Sequence, residues 1–502
     1  GCGSLSGEPE LTEFDLEVKP QGKDAPLSVT AQLGVTNDGG AEGTATLYVD
    51  DDSREEIVVP AGETVETSIE LTVHYGTHTV AFGPQTASVD ADGLTFEHPP
   101  SVQVDERFGL TVKGLPASDE LTLHLSSASY EEERWANEVQ LDVSDHQAEL
   151  GPEEMMRLIQ LMAPVSDEAN GVFFPPIEGV GEAWQLRMAV RRAGTTLDET
   201  AVQRQWGDPK VSASDVEADG VVGTLYEPPG EGPWPAVVLL HGSGGRPARW
   251  TAGMLASRGF LALALHYFGE PRSIPDELVR VPIESVKRAG EWLRQHERAA
   301  GDQVGLWGSS KGAELALLAG SHFDLVGAVV SVSGSGVVWQ GVSRRTRGSS
   351  WTYQGDPVPY VPYNRGSPTS LYDPSHVTDE ELAEATIRVE RIDGPVLLIS
   401  GRDDGFWDSV ELSEIALERL AQHDHPDKFR HLVYDEAGHW FPIPYLTIGT
   451  QASLDNDPAE LRGLNFGGTR EGVAEASADH WPKALGFLRS ALTEDASTEA
   501  SR

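Results

Sequence analysis

From about Lys210 onward, short apolar runs alternate with segments whose apolar residues recur at helical spacing. Ala236-Val237-Val238-Leu239-Leu240 reads as a buried strand, and Gly259 to Leu265 as another. Between Ile283 and Leu293 the apolar positions 283, 286, 289 and 293 fall on one helical face. Val304 to Trp307, Ala328 to Val332 and Val396 to Ile399 continue the strand series. Repeated β–α alternation leaves few solutions. Parallel strands need crossover connections, and those connections cover both faces of the sheet. The spacing therefore predicts an α/β domain over 211–492, with a mostly parallel, doubly wound sheet.

The region before it follows a different pattern. Ser28 to Val35, Ala45 to Val49 and Thr67 to Val73 alternate at period two, with turns at Asn37-Asp38-Gly39-Gly40 and Pro60-Ala61-Gly62. Residues 11–97 thus predict an Ig-like β-sandwich, and they resemble the adhesion-type modules of prokaryotic surface proteins. A turn-rich seam from Asp90 to Pro100 leads to a second all-β sandwich over 98–210. That sandwich has a break from Met155 to Pro164. Residues 1–10 read as a tether and 493–502 as a polar tail.

Charge narrows the range of partners. Eighty acidic against 37 basic residues give a net charge of −43, which disfavours nucleic acid and anionic membrane surfaces. Only 8 of the basic residues are Lys, a composition suited to molar salt, where screening acts over roughly 3 Å. The single cysteine excludes an intramolecular disulfide and a cysteine-based zinc cluster. Gly1-Cys2-Gly3-Ser4 resembles the cleavage box of prokaryotic lipoproteins. That resemblance implies lipid attachment at Cys2 and a place on the cell surface, with a cytoplasmic location as the alternative.

The chemistry gathers in the β–α region. Gly308-Ser309-Ser310-Lys311-Gly312 lies between a strand and a helical run, the setting in which G-x-S-x-G forms a nucleophile elbow. Ser310 is the expected nucleophile, and Ser309 only spaces the motif. A serine hydroxyl needs a base, and the base needs an orienting acid. Gly401-Arg402-Asp403-Asp404 follows a strand, and His439 follows another strand 35 residues beyond Asp404. The expected triad is Ser310, Asp404 and His439, with Asp403 the rival acid. His241-Gly242-Ser243-Gly244-Gly245 follows a buried strand. Its Gly242 or Ser243 N–H, with that of Lys311, is the expected oxyanion hole.

These motifs carry a resemblance. Pro99 to Glu106, Gly220 to Gly230, Leu255 to Ala264, Ser310 to Glu314, Gly401 to Asp404 and Ala437-Gly438-His439 to Tyr445 resemble the acyl-CoA thioesterase and bile acid-CoA:amino acid N-acyltransferase family. The resemblance spans about residues 98–492. It implies a β-sandwich packed on an α/β-hydrolase domain, a small-molecule acyl thioester or ester substrate, and no metal or organic cofactor. The amino-acid transferases of the family carry Cys at the elbow. Serine implies an oxyester intermediate that water can resolve.

Acyl-CoA thioester hydrolysis is therefore the expected activity. The alternatives are an extracellular carboxylesterase, acyl transfer to an amine, and a non-enzymatic surface adhesion protein. The aromatic-rich stretch from Trp339 to Tyr372 reads as a long irregular lid, with Arg344, Arg345 and Arg347 available to phosphates.

Overall fold

The computed structural model describes residues 7–117, 120–166, 173–269, 271, 273–343, 345–367, 370–449 and 466–493. Cys2, Arg344 and residues 494–502 lie outside the described residues.

Leu11–Pro20, Leu27–Asn37 and Thr64–Val73 form one antiparallel sheet. Gly43–Val49, Asp52–Val59, Gly76–Phe82 and Gln85–Ala91 form a second. Period two explains how they face each other. Leu27–Asn37 buries every other residue, so Val29, Ala31, Leu33 and Val35 meet Ala45, Leu47, Val49 and Phe82 across the layers.

The expected seam proves to be ordered backbone. Gly93–Glu97 is a strand that pairs with Leu110–Lys113 on one side and, in parallel, with Asp24–Ala25 on the other. Polar, turn-forming residues mask it, because pairing across both edges outweighs local propensity. The strands that follow form a six-stranded and a four-stranded sheet. The break expected from Met155 to Pro164 is in part a helix, α1 (Pro152–Gln160), which starts three residues earlier. Proline sits in its first turn, and Met155, Met156 and Ile159 form its buried face.

The region after the second sandwich is built on an eight-stranded sheet. Its strands are β1 (Ser212–Ala218), β2 (Val221–Glu227), β3 (Trp234–Leu240), β4 (Leu261–His266), β5 (Ala299–Ser309), β6 (Val326–Val332), β7 (Val396–Gly401) and β8 (Phe429–Tyr434). Their order is β1-β2-β4-β3-β5-β6-β7-β8. The pairs β1–β2 and β2–β4 are antiparallel, and the rest are parallel. Strands β4 and β5 flank β3, so the direction of winding reverses there and opens a crevice at the strands' C-terminal ends.

Helices cover both faces. On one side lie α2 (Arg249–Ser257) and, late in the chain, α7 (Arg470–Thr493). The other side carries α3 (Glu284–Arg294), α4 (Lys311–Gly320) and α6 (Ser409–Gln422). The short α5 (Asp379–Ala385) opens with a capping box from Thr378 and Glu381. One apolar cluster runs from the second sandwich through Trp206, α2 and Trp481 onto the sheet. Full burial of each large side chain there contributes about 1.5–3 kcal/mol.

Candidate active site

β5 ends at Ser309 and α4 begins at Lys311, so Ser310 makes the turn alone. Its φ of 56° and ψ of −123° are unusual for a residue with a side chain. Such backbone costs about 1–3 kcal/mol and persists only where its surroundings enforce it. Here they do. A Cβ on Gly308 would lie 2.2 Å from the Gly312 carbonyl oxygen, and one on Gly312 would lie 2.2 Å from that of Leu240. Both glycines of the motif are thus required by the close passage of β3, β5 and α4. The Ser310 N–H is held by the Val332 carbonyl at 2.8 Å.

The structure brings the three expected triad residues together. His439 Nε2 lies 2.9 Å from Ser310 Oγ, and its Nδ1 lies 2.8 Å from Asp404 Oδ2. A carboxylate only accepts, so Nδ1–H donates to Asp404 and Nε2 is left to accept from the serine hydroxyl. Asp404 and His439 are buried, and Asp404 Oδ1 accepts the Phe406 and Trp407 N–H groups at 2.9 and 3.2 Å. Asp403 does a different job, accepting the Gly468 N–H at 3.0 Å.

The imidazole is also fixed by its surroundings. The Phe406 ring stacks on it at 5.0 Å, Phe466 at 6.1 Å, and Trp407 meets it edge-on at 5.9 Å. Ser333, at the end of β6, donates through Oγ to the His439 carbonyl at 2.7 Å, and its own carbonyl accepts Trp407 Nε1–H at 2.9 Å. Sequence reasoning missed this shell, whose members lie 74 and 106 residues apart in the chain.

The Gly-rich loop after β3 lies against the nucleophile. A Cβ on Gly242 would come within 3.3 Å of Ser310 Cβ. Ser243 is partly exposed beside it. His241 anchors the loop. Its ring stacks on Tyr267 at 4.1 Å, its Nδ1 lies 2.9 Å from the Gly242 carbonyl, and the Tyr267 hydroxyl donates to the His241 carbonyl. Burial pulls the His241 imidazole down to about 3, so it stays neutral.

The stretch expected to be a long irregular lid is in part regular. Trp351–Tyr353 pairs with Val281–Pro282 and with Asp356–Pro357 in a small sheet. Trp339 and Trp351 are fully buried. Their apolar rings and the polar serines between them pack inward, while Arg345 and Arg347 are exposed. The Lys311 side chain is also fully buried, against Glu314. Among the described residues, no cluster of His, Cys, Asp or Glu is placed to hold a metal ion, and no helix is long and apolar enough to cross a membrane.

A doubly wound sheet with an acid–histidine–serine relay at its C-terminal edge defines an α/β-hydrolase. Residues 281–494 match the family model "BAAT / Acyl-CoA thioester hydrolase C terminal". Human acyl-coenzyme A thioesterase 1 is 30% identical over 309 residues, covering 60% of this chain and 70% of that protein. Mouse peroxisomal succinyl-coenzyme A thioesterase is 28% identical over 59% of this chain and 69% of its own length. Mouse bile acid-CoA:amino acid N-acyltransferase is 29% identical over 60% and 71%. Among solved structures, a putative dienelactone hydrolase from Klebsiella pneumoniae overlaps 55% of this chain and 97% of its own, at 16% identity and a TM-score of 0.35, too low to carry an argument. The chain belongs to the acyl-CoA thioesterase and bile acid-CoA:amino acid N-acyltransferase family, and it is a hydrolase of thioester or ester bonds.

Proposed function

We propose that the protein hydrolyses acyl-CoA thioesters through an acyl-serine intermediate. The observation that carries this reading is the 2.9 Å contact between Ser310 Oγ and His439 Nε2, with Asp404 behind the imidazole. His439 accepts the hydroxyl proton as Oγ attacks the thioester carbonyl. The resulting oxyanion is received by the Lys311 N–H, at the start of α4, and by the Gly242 or Ser243 N–H. Helix geometry leaves the first N–H groups of α4 without intrahelical acceptors, and the helix dipole adds to their pull. Collapse breaks the C–S bond, and the thiolate takes the proton from His439. Water, deprotonated by the same imidazole, then attacks the acyl-Ser310 ester; the acyl–Oγ bond breaks, His439 returns the proton to Oγ, and the carboxylic acid is freed. Serine favours this outcome over transfer to an amine, because an oxyester is less open to aminolysis than a thioester.

The same proposal includes features that rest on the sequence alone. These are lipid attachment through Cys2, a location at the cell surface, a spacer role for the Ig-like residues 11–97, and adaptation to molar salt. The segment from Trp339 to Tyr372 is proposed to cap the acyl site.

The test compares wild type with Ser310→Ala in molar salt. Thiol release from a series of acyl-CoAs is measured beside hydrolysis of matched oxyesters. Ser310-dependent thioester cleavage at the higher kcat/KM is expected. Oxyester cleavage with idle CoA thioesters would retain the triad but discard the CoA substrate.

A further inference from the structure

The residue after the nucleophile has two ends in two environments. Its N–H lies at the mouth of the elbow, while its ammonium is fully buried. Lys311 Nζ donates to both oxygens of Glu314, each at 2.7 Å, and lies 3.5 Å from the Trp339 carbonyl. Glu314 is also fully buried and accepts two further bonds on Oε1, from Trp351 Nε1–H at 2.7 Å and the Trp339 N–H at 3.3 Å. The Trp351 ring sits 5.7 Å from the ammonium, a cation–π distance. Ser350 Oγ completes the set by donating to the Trp339 carbonyl at 2.9 Å. A buried pair is costly to desolvate and is weak evidence of stabilisation, so its retention calls for another reason.

That reason lies in what the pair joins. Lys311 and Glu314 stand one turn apart at the start of α4. Trp339 and Trp351 belong to the chain between β6 and β7. We propose that Glu314 is a positioning residue. By clamping the Lys311 side chain against the two tryptophans, it fixes the peptide plane between Ser310 and Lys311, and so the direction of the Lys311 N–H toward the oxyanion. An oxyanion donor works only when aimed in advance, and a small rotation of that plane misdirects it. The inference rests on the acyl-serine reading above and extends it to what sets the geometry of the hole.

The test uses the full chain in molar salt and two readouts. One is steady-state acyl-CoA hydrolysis. The other is the second-order rate at which a fluorophosphonate labels Ser310, which requires the triad and the hole but no acyl-CoA. The informative variant is K311M/E314Q. Met keeps the backbone donor and fills the space, and Gln still accepts from both tryptophans, so no buried charge is left unpaired. Trp351→Phe is the milder companion, deleting one bond while keeping the ring. For the double variant the expected result is a melting temperature near that of wild type, KM within about twofold, and kcat and labelling rate each down about tenfold or more. The Trp351→Phe variant should show the same split at smaller size. Folded variants whose kcat and labelling rate stay within about twofold of wild type would overturn the proposal. Wild type that labels but cleaves no acyl-CoA would discard the substrate while leaving the labelling comparison to decide the role of Glu314.

Discussion

Two adjacent aspartates at the end of β7 show how much a residue's role depends on direction. Asp404 faces His439 Nδ1, while Asp403 faces the Gly468 N–H. The sequence puts Asp404 first with Asp403 as its rival, because nothing local shows which carboxylate turns toward a loop 35 residues on. Asp404→Asn should cut kcat on the order of 10⁴-fold, since an amide holds the wrong tautomer of His439. Asp403→Asn keeps an acceptor for Gly468 and should leave kcat within a few-fold. Steady-state kinetics on the two variants checks the assignment, and equal losses would contradict it. Ser310 is legible for the opposite reason. Its motif, strand and helix are contiguous, so one short window holds the residues that mark it. The Lys311–Glu314 clamp is not legible, because Trp351 reaches it from 37 residues away.

At the scale of elements, long apolar strands can be read directly and short elements cannot. β3, β4, β6 and β7 bury both faces and announce themselves as apolar runs. α1 has nine residues and only one buried stripe, and Gly93–Glu97 pairs through backbone that the sequence does not display. Elements also decide which histidines titrate. His480 on α7 is buried, and its Nδ1 lies 2.8 Å from the Ala476 carbonyl one turn back. Burial draws its imidazole down from 6.5 to about 4. Between those values the unfolded chain binds a proton that the native chain does not. Stability therefore falls as pH drops through 6.5 toward 4, at about 1.4 kcal/mol per pH unit for this residue. His480→Asn can keep the bond to Ala476 without the titration. The stability difference between wild type and this variant, from urea midpoints, should shift against wild type over that window. A flat difference would show that His480 is protonated in the native state.

For the whole molecule, charge and domain contact dominate. A net charge of −43 repels itself at low ionic strength and is screened in molar salt. The melting temperature is expected to rise steeply from dilute buffer to molar KCl, and a salt-independent value would remove the halophilic reading. The sandwich–hydrolase contact was legible only as a resemblance, because its bonds join residues far apart in sequence. The buried Arg204 donates to the Val104 and Tyr445 carbonyls at 2.8 and 3.2 Å. Trp481 Nε1–H donates to Asp105 at 3.0 Å, and Asp105 pairs with Arg258. The chain that follows His439 seats on α1 through Thr447 Oγ1 to the Ile159 carbonyl at 3.0 Å and the Ile448 N–H to the Gln160 carbonyl at 2.8 Å. Those contacts span 288 residues, and His439 itself follows Ser310 by 129. Synthesis runs from the N-terminus, and domains fold as they emerge. The surface of α1 that receives this segment is thus made well before the segment itself. On the acyl-serine proposal, a nascent chain holds its serine well before its base, and hydrolysis waits until translation has supplied His439.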